Sequence, residues 1–401
     1  MDRRIPPERR ARRRVLAVAL GIAVVLAACG TTRAGTRPTA TSRSRQPTTT
    51  HATSTSAPPP TATSTTTSPT TTTTSSVTAG WTEQQYLAQL IMVGASFSDL
   101  GAAAPEVRAG AGGLVLFGAP PAGSGPAIAA GIASLQSDAA VKVLVSTDEE
   151  GGDIARLANV LPAPSIPAPR TMPATMSPRE VQALVTTQAR AMARLGVNMD
   201  LAPVLDTASP SDTVADESER SFSANGRTAA TYGAAFIEGL RAGGVIATAK
   251  HFPGLGQAPA DTDLSSATLP PLSEMTNDLL PFRTAISIGV PVVMMCNAIE
   301  PTWGSMPVSL NPLAYGYLRQ LGFTGMTVTD SLDAGAIADA GYSGPQAVVK
   351  AIEAGADMAM VTTPSDFPVA LSDLEQAVSS GQLPMATVRA DVARILATKG
   401  L

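Results

Sequence analysis

Eight short apolar runs, each followed by a polar turn and a helical stretch, constrain the fold of this chain more than any other feature. The runs are residues 90–93, 113–117, 143–146, 199–203, 245–249, 292–295, 326–329 and 358–361. Amphipathic segments such as 178–195, 228–242 and 273–288 lie between them. Continuous apolar strands that alternate with helices are typical of a parallel sheet covered on both faces. The pattern therefore predicts an α/β fold, a (β/α)8 TIM barrel, with a doubly wound open sheet as the alternative.

Charged or amide side chains follow most of these apolar runs. They are Asp148, Asp206, Lys250, His251, Asn297 and Asp330. In a TIM barrel the C-terminal ends of the strands converge on one mouth, where active sites lie. Each residue alone could cap a helix, but unpaired charges crowded into one ring would be costly. We therefore expect a functional site at this end of the barrel.

The N-terminal part of the chain has the composition of an export signal. Residues 1–14 contain seven arginines, and an uncharged apolar run of fourteen residues follows at 15–28. This run is too short for a mature transmembrane helix but fits the apolar part of a signal peptide. Its end, Leu26-Ala27-Ala28-Cys29, resembles the bacterial lipobox, although a cysteine could occur there by chance. We predict a lipoprotein signal peptide at 1–28 and an exported protein, anchored by lipid on Cys29 to the outer face of the plasma membrane or cell envelope.

The next segment, 29–78, consists almost entirely of Thr, Ser, Pro and Ala. Such a composition cannot bury enough apolar surface to offset the entropy of ordering the chain. We predict a disordered tether there, of the kind that is O-glycosylated in other Ser/Thr/Pro-rich stalks. The remaining segment, 79–401, is predicted to form the barrel.

Charge and composition exclude several classes of function. Of the 28 basic and 32 acidic residues, 17 basic and 30 acidic lie in 79–401, a net charge of −13 that argues against a nucleic-acid partner. Cys296 is the only thiol besides Cys29, so no internal disulfide is expected within the barrel. His51 and His251 are the only histidines, which excludes a His-rich metal site. We expect no metal, no organic cofactor and a monomeric protein.

The segment Lys250-His-Phe-Pro-Gly254 resembles the signature of the β-N-acetylglucosaminidases of glycoside hydrolase family 3, which trim peptidoglycan fragments. The resemblance continues in the same order along about residues 82–400. The other matching blocks are 89–94, 112–117, Asp148-Glu-Glu-Gly-Gly152 with Arg156-Leu157, 200–206, Glu219-Arg-Ser-Phe222, Thr329-Asp-Ser-Leu-Asp-Ala-Gly-Ala-Ile337 and 354–358.

The resemblance implies that five side chains hold one amino sugar: Asp148, Arg156, Arg220, Lys250 and His251. These residue types suit the task, because a carboxylate accepts protons from hydroxyl groups while Arg and Lys only donate. Two structural alternatives remain open. Arg156 could form a salt bridge within its loop, and Arg220 could pair with Asp206.

The resemblance also implies that Asp330 is the nucleophile, since a retaining glycosidase needs an ionised carboxylate beneath the anomeric carbon. The second catalytic group of the resembled enzymes is a histidine on a mobile loop, in an Asp-Ser-His triplet thirteen residues after the signature lysine. This sequence has Asp261-Thr262-Asp263 there, so the histidine is replaced by Asp263. Leu255 and Asp153 also replace a family histidine and arginine.

A carboxylic acid serves as general acid in many glycosidases, and repulsion between Asp261 and Asp263 would raise one pKa, as suits an acid. Aspartate is shorter than histidine, however. We therefore keep two hypotheses. The first is a retaining exo-β-N-acetylglucosaminidase that releases terminal N-acetylglucosamine from muropeptide fragments with Asp330, Asp263 and Asp261 as its catalytic set. The second is a catalytically impaired lipoprotein that binds amino sugars or peptidoglycan fragments without turnover.

Overall fold

The structure, a computed structural model, describes residues 77–208 and 219–401. The predicted signal peptide, the lipidation site Cys29 and all but the last two residues of the predicted tether lie outside the described residues. The strands are β1 (Ile91–Ser96), β2 (Gly113–Phe117), β3 (Leu144–Thr147), β4 (Glu149–Gly151), β5 (Ile154–Ala155), β6 (Met199–Asp200), β7 (Ile246–Phe252), β8 (Val292–Met295), β9 (Met326–Thr329) and β10 (Ala359–Val361).

Eight of these strands form one parallel sheet in the order β10-β1-β2-β3-β6-β7-β8-β9. The two ends of the sheet meet, because a parallel bridge joins Val328 to Met358. The Met358 amide donates to the Thr327 carbonyl, and the Thr329 amide donates to the Met358 carbonyl, both over 3.1 Å. The sheet therefore closes on itself, and the predicted (β/α)8 barrel is confirmed.

Helices surround the barrel and cover its outer face. They are α1 (Glu83–Gln89), α2 (Ala104–Arg108), α3 (Gly125–Asp138), α4 (Met172–Thr175), α5 (Pro178–Leu195), α6 (Gly226–Gly243), α7 (Thr276–Ser287), α8 (Pro312–Gln320), α9 (Gly335–Asp339), α10 (Gly344–Ala354), α11 (Asp366–Ser379) and α12 (Met385–Thr398). Short 3-10 helices lie at Leu100–Ala103, Pro169–Thr171, Leu272–Glu274, Pro301–Trp303 and Val308–Leu310. Along 77–208 and 219–401, no helix is long and apolar enough to cross a bilayer.

Local sequence explains where the long helix α5 begins and ends. Ser177 caps its N-terminus in a capping box with Glu180, and Pro178 occupies the first turn, where no backbone N–H is needed. Gly196 ends the helix in the left-handed conformation with φ 93°, which glycine adopts without steric penalty. The predicted segment 178–195 matches this helix.

The predicted bounds hold for β2, β8 and β9, and those of the other five barrel strands differ by one to three residues at one or both ends. The predicted strand 199–203 shortens to β6, Met199–Asp200. Its continuation contains Pro203, which has no N–H to donate to the sheet. The predicted strand 245–249 extends through the signature motif to Phe252, so Lys250 and His251 lie within β7. A two-stranded antiparallel hairpin, β4-β5, follows β3 and was not predicted.

Candidate active site

One cavity of about 630 Å³ opens at the C-terminal ends of the barrel strands. All eight side chains that the sequence predicts to bind sugar or act in catalysis line it: Asp148, Arg156, Arg220, Lys250, His251, Asp261, Asp263 and Asp330. Glu150 and Asp333 add two further carboxylates, while apolar wall is supplied by Val115, Phe117, Ile154, Leu201, Leu255, Met294 and Met360. The lining of the cavity therefore combines apolar side chains with a cluster of charged side chains, which includes all eight predicted residues.

Glu150 is at the centre of the ion pairs in this cavity. The guanidinium of Arg220 donates to it twice, with Nε 2.8 Å from Oε2 and Nη2 2.9 Å from Oε1. Lys250 Nζ lies 2.6 Å from Glu150 Oε1 and 2.8 Å from Asp148 Oδ1. Burial alone would raise the pKa of Glu150, but the charges of Lys250 and Arg220 hold it at about 2. Arg220 thus pairs with Glu150, while the Asp206 carboxylate contacts His251 and Leu255.

Lys250 remains a cation in spite of its burial. Only 3% of its side chain is exposed, and burial by itself lowers the pKa of an ammonium group. The charges of Asp148 and Glu150 outweigh that effect, so the pKa of Lys250 is raised above its ordinary value. The ammonium group is fixed beside the cavity as a permanent hydrogen-bond donor.

The hairpin β4-β5 is what places Glu150 in the cavity. The next residue after Glu150, Gly151, has φ 105°, a backbone conformation that residues with a side chain rarely adopt. A Cβ at this position would overlap the Pro167 carbonyl oxygen and lie 2.7 Å from Ile166 Cγ2. The backbone of the hairpin therefore packs directly against the 166–167 segment, and only glycine permits that approach.

His251 is oriented by the buried carboxylate of Asp206. Its Nδ1 lies 2.6 Å from Asp206 Oδ2, and the other carboxylate oxygen accepts from the amides of His251 and Leu255 at 3.1 and 2.7 Å. Burial would lower the pKa of His251, but the charge of Asp206 and its hydrogen bond raise it. The pKa of Asp206 is lowered in turn, against its own burial, mainly by the charge of His251. Asp206 therefore favours the protonated form of His251 and occupies its Nδ1.

Arg156 projects from the segment after the hairpin. Its backbone amide donates to the Asp148 carbonyl at 3.2 Å, which ties it to the end of β3. Among the described residues no carboxylate forms an ion pair with its guanidinium, and its buried Nε has no hydrogen-bond partner. The alternative of a loop salt bridge is therefore wrong within the described chain, and the guanidinium is available to a ligand.

Asp330 begins the segment after β9, at the barrel mouth. Its backbone amide donates to the Met295 carbonyl at 2.9 Å, and its Oδ1 accepts from the Ser331 amide at 2.8 Å. Asn297 does not line the cavity; it holds this segment instead, since its Nδ2 donates to the Ser331 carbonyl at 2.6 Å. One carboxylate oxygen of Asp330 is thus fixed by the backbone, and the side chain is partly exposed to the cavity.

Asp261 and Asp263 lie on one turn above the cavity. Asp261 Oδ1 accepts from the Asp263 amide at 3.0 Å, and both side chains are solvent-exposed at the rim. The pKa of Asp263 is raised to about 6, first by partial desolvation and then by the negative charges of Asp330 and Asp261. A carboxyl group with such a pKa can carry a proton in mildly acidic solution and release it near neutrality.

No group of three or more His, Cys, Asp or Glu side chains in 77–208 and 219–401 has an arrangement that could hold a metal ion. Asp330 is a carboxylate held by the backbone, and Asp263 is a carboxyl group with a raised pKa. A nucleophile combined with a proton donor is what glycosyl transfer with retention requires.

Two residues of the site were missed by sequence reasoning. Glu150 lies two residues after Asp148 in the same motif, and it is the buried counter-ion of Arg220 and Lys250. Asp206 was noticed as a strand-end residue, but its role as the partner of His251 was not predicted. Only the matching sequence blocks could have indicated that Glu150 and Asp206 belong to the site. The residues with which they pair lie between 45 and 100 positions away along the chain.

Comparison with known proteins identifies the family. Residues 84–398 match the family described as Glycosyl hydrolase family 3 N terminal domain. The chain is similar to the β-hexosaminidase LpqI of Mycobacterium tuberculosis, with 36% identity over 265 residues that cover 64% of this chain and 68% of that protein. A secreted glycosyl hydrolase of Arthroderma benhamiae is 30% identical over 265 residues, which cover 64% of this chain and 74% of that protein.

Solved structures agree with the sequence comparisons. The structure of Mycobacterium tuberculosis LpqI is similar over 81% of this chain and 96% of that chain, with a TM-score of 0.75 and 32% identity. The family 3 β-N-acetylglucosaminidase from Paenibacillus sp. is similar over 80% of this chain and 62% of that chain, with a TM-score of 0.73 and 30% identity. The resemblance seen in the motifs is confirmed, and the chain belongs to glycosyl hydrolase family 3.

Proposed function

We propose that this glycoside hydrolase is a retaining exo-β-N-acetylglucosaminidase with Asp330 as nucleophile and Asp263 as acid/base. One observation carries the proposal: the cavity brings Asp330 together with a carboxyl group whose pKa of about 6 suits proton transfer. The relatives described as β-hexosaminidases and the Paenibacillus β-N-acetylglucosaminidase support N-acetylglucosamine as the sugar.

The sugar is held by Asp148, Arg156, Arg220, Lys250 and His251. In this arrangement Asp148 accepts hydrogen bonds from hydroxyl groups, and the side chains of the other four residues donate them. Because Glu150 neutralises Arg220 and shares Lys250 with Asp148, the cations are held in place before the sugar arrives. Such pre-organised polar groups lower the cost of positioning the substrate.

In the first chemical step the Asp330 carboxylate attacks the anomeric carbon, and the bond from that carbon to the leaving oxygen breaks. Asp263 gives its proton to the leaving oxygen, so the aglycone departs as a neutral alcohol. The products of this step are a glycosyl ester on Asp330 and an ionised Asp263.

In the second step Asp263 removes a proton from water, whose oxygen attacks the anomeric carbon and displaces Asp330. Formation of the ester prepares Asp263 for this role. The charge of Asp330 is one cause of the raised pKa of Asp263, and esterification removes that charge. The pKa of Asp263 therefore falls when it must act as a base.

The proposed substrate is a muropeptide fragment of the cell wall with a terminal N-acetylglucosamine. Export supports this substrate, because peptidoglycan lies outside the plasma membrane. The signal-like segment 1–28 and the relative described as secreted both support export. Anchoring through Cys29 is part of the proposal, and stable retention then implies more than one acyl chain. A Cys29→Ala protein should lose partition into detergent, and retained partition would contradict the anchor.

Covalent trapping tests the nucleophile. Incubation with a 2-fluoro or 5-fluoro glycosyl probe should produce a stable adduct, and peptide mass spectrometry should place it on Asp330. The variant Asp330→Ala should lose turnover of a chromogenic β-N-acetylglucosaminide while sugar binding is largely kept. A label on any other residue would refute the assignment of Asp330.

The same experiments distinguish catalysis from binding alone. A native chain that binds N-acetylglucosamine by calorimetry, yet neither labels nor turns over substrate, would establish the catalytically impaired lipoprotein instead. The variant Asp263→His restores the residue type that the family motif has at this position. Activity that is kept or raised in Asp263→His would support the acid/base role of this position.

A further inference from the structure

The turn that carries Asp263 is attached to the helix that follows Asp330. We call residues 261–266 the Asp263 loop. The amide of Gly335, the first residue of α9, donates to the Asp263 carbonyl at 2.9 Å, and the amide of Ala336 donates to the Thr262 carbonyl at 3.1 Å. At the other end of this short helix, Asp339 Oδ2 accepts from the Ser266 amide at 2.8 Å. Three hydrogen bonds thus join the loop to α9.

Burial of apolar side chains contributes little to this attachment. Leu264, at the centre of the loop, is 78% exposed, the largest exposed fraction among the big apolar side chains of the described chain. The loop instead approaches α9 through its backbone. A Cβ on Gly335 would overlap the Leu264 carbonyl group and lie 2.9 Å from the Ser265 nitrogen. The absence of a side chain at Gly335 is therefore a condition of the contact.

The loop is also tied together internally. The amides of Leu264 and Ser265 donate to the Asp261 carbonyl at 3.1 and 3.0 Å. The Asp263 amide donates to the Asp261 side chain, so the turn is closed on both sides of Asp263. A displacement at Gly335 would consequently move the whole turn, and the Asp263 carboxyl group with it.

We propose that Gly335 and Asp339 are positioning residues that hold the Asp263 loop over Asp330. The inference rests on the proposed function, in which Asp263 transfers the proton. Since α9 begins five residues after Asp330, one segment of chain sets the position of both carboxyl groups.

Hydrogen exchange tests the attachment without reference to activity. In the full chain, the amides of residues 264–266 and 335–336 should be protected, and Gly335→Ala should accelerate their exchange by about tenfold or more. Asp339→Ala should accelerate exchange at Ser266, whereas Asp339→Asn should not, because it keeps an oxygen that accepts the hydrogen bond. Gly316→Ala, in α8 with open space around the site of the new Cβ, is the matched glycine control. Unchanged exchange in Gly335→Ala would overturn the proposal.

Kinetics tests whether the attachment acts through Asp263. Gly335→Ala should lower kcat/KM by about 10²-fold or more for a disaccharide, whose leaving group needs a proton. With a 4-nitrophenyl glycoside, whose leaving group departs unprotonated, the loss should stay within about fivefold. The double variant Gly335→Ala/Asp263→Ala should be no slower than Asp263→Ala, because both changes remove the same interaction. Additive losses would show that Gly335 acts elsewhere and would overturn the proposal.

The two readouts separate this inference from the proposed function. If Asp263→Ala slows turnover of the disaccharide no more than turnover of the 4-nitrophenyl glycoside, the acid/base assignment fails. That conclusion does not depend on the exchange data. If Asp263→Ala slows disaccharide turnover much more than 4-nitrophenyl glycoside turnover, but Gly335→Ala retains full disaccharide turnover, the acid/base assignment stands and the positioning role fails. If Gly335→Ala does not fold, Asp339→Ala takes its place. A folded Asp339→Ala protein with reduced disaccharide turnover would support the positioning role if Asp339→Asn restores that turnover.

Discussion

At the scale of single residues, the site is built from charges that neutralise one another before any sugar binds. Glu150 compensates Arg220 and part of Lys250, and Asp206 compensates His251. The motifs were sufficient to predict which residue types face the cavity, because they match blocks of a known family. They could not predict the pairs, since Arg220 and Glu150 lie 70 positions apart and Lys250 and Asp148 lie 102 apart. Only the closed barrel brings them together.

The raised pKa of Asp263 leads to a prediction about pH. If Asp263 supplies the proton, as proposed, a poor leaving group needs its protonated form, and its pKa is about 6. Disaccharide hydrolysis should therefore fall as pH rises through 6, by about tenfold per pH unit above it, whereas hydrolysis of a 4-nitrophenyl glycoside should fall much less. Asp263→Asn should remove this limb of the profile. Measurement of kcat/KM against pH for both substrates checks the prediction, and identical profiles would contradict it.

The pair of His251 and Asp206 leads to a second prediction. Asp206→Asn keeps an oxygen that can accept from the His251 and Leu255 amides, so the fold should survive. It removes the negative charge that raises the pKa of His251, while burial, which lowers that pKa, remains. The pKa of His251 should therefore fall below its ordinary value, and the imidazole should be neutral at pH 7.

Titration of the imidazole signals by NMR measures this change directly. The chain has two histidines, His51 and His251, so a His51→Gln background leaves a single signal to follow. We expect kcat/KM to fall by about tenfold or more in Asp206→Asn, because a cation beside Asp330 is lost. An unchanged His251 pKa in the folded variant would show that Asp206 does not control it.

At the scale of elements, apolar runs predicted where strands lie, and local backbone chemistry decided how long they are. The predicted bounds of β2, β8 and β9 are those of the structure. The prediction failed at β6, where Pro203 interrupts the hydrogen-bonding pattern of an otherwise apolar run. The hairpin β4-β5 was missed because its strands contain only three and two residues, too few to show alternation.

This hairpin leads to a prediction at Gly151. In Gly151→Ala the new Cβ overlaps the Pro167 carbonyl, so the hairpin must shift and Glu150 must move with it. Sugar binding should weaken by about tenfold or more, and stability should fall by more than ~1 kcal/mol. Gly123→Ala is the control, since Gly123 also has a positive φ, 82°, but has open space around it. Calorimetric measurement of sugar binding and thermal melting of both variants distinguish a shifted hairpin from simple backbone strain. Equal losses of binding and stability in Gly151→Ala and Gly123→Ala would contradict the role of Gly151.

At the scale of the whole molecule, the ends of the barrel domain are joined to each other. Strands β9 and β10 close the sheet onto β1, and α12 returns to α1, where Lys399 Nζ donates to Gln89 Oε1 at 2.7 Å. Lys399 is only 5% exposed, and this burial lowers its pKa to about 7. The barrel was predictable from repetition along the chain, but this contact between residues 310 positions apart was not.

The closure makes the N-terminal boundary of the domain testable. Segment 79–401 contains α1 and should therefore unfold in one cooperative transition. Its Tm should lie within a few degrees of that of the mature chain, slightly lowered because Val77, which packs on the core, is removed. Segment 91–401 keeps β1 but loses Leu87 and Leu90, both fully buried, and the partner of Lys399. Two buried leucines contribute roughly 3–6 kcal/mol, a large part of the ~5–15 kcal/mol that stabilises a typical domain. The shorter segment should consequently lack a cooperative transition by circular dichroism at 25 °C or melt far below the longer one. Equal melting of the two segments would mean that α1 is dispensable and that the barrel is stable without the contact between its ends.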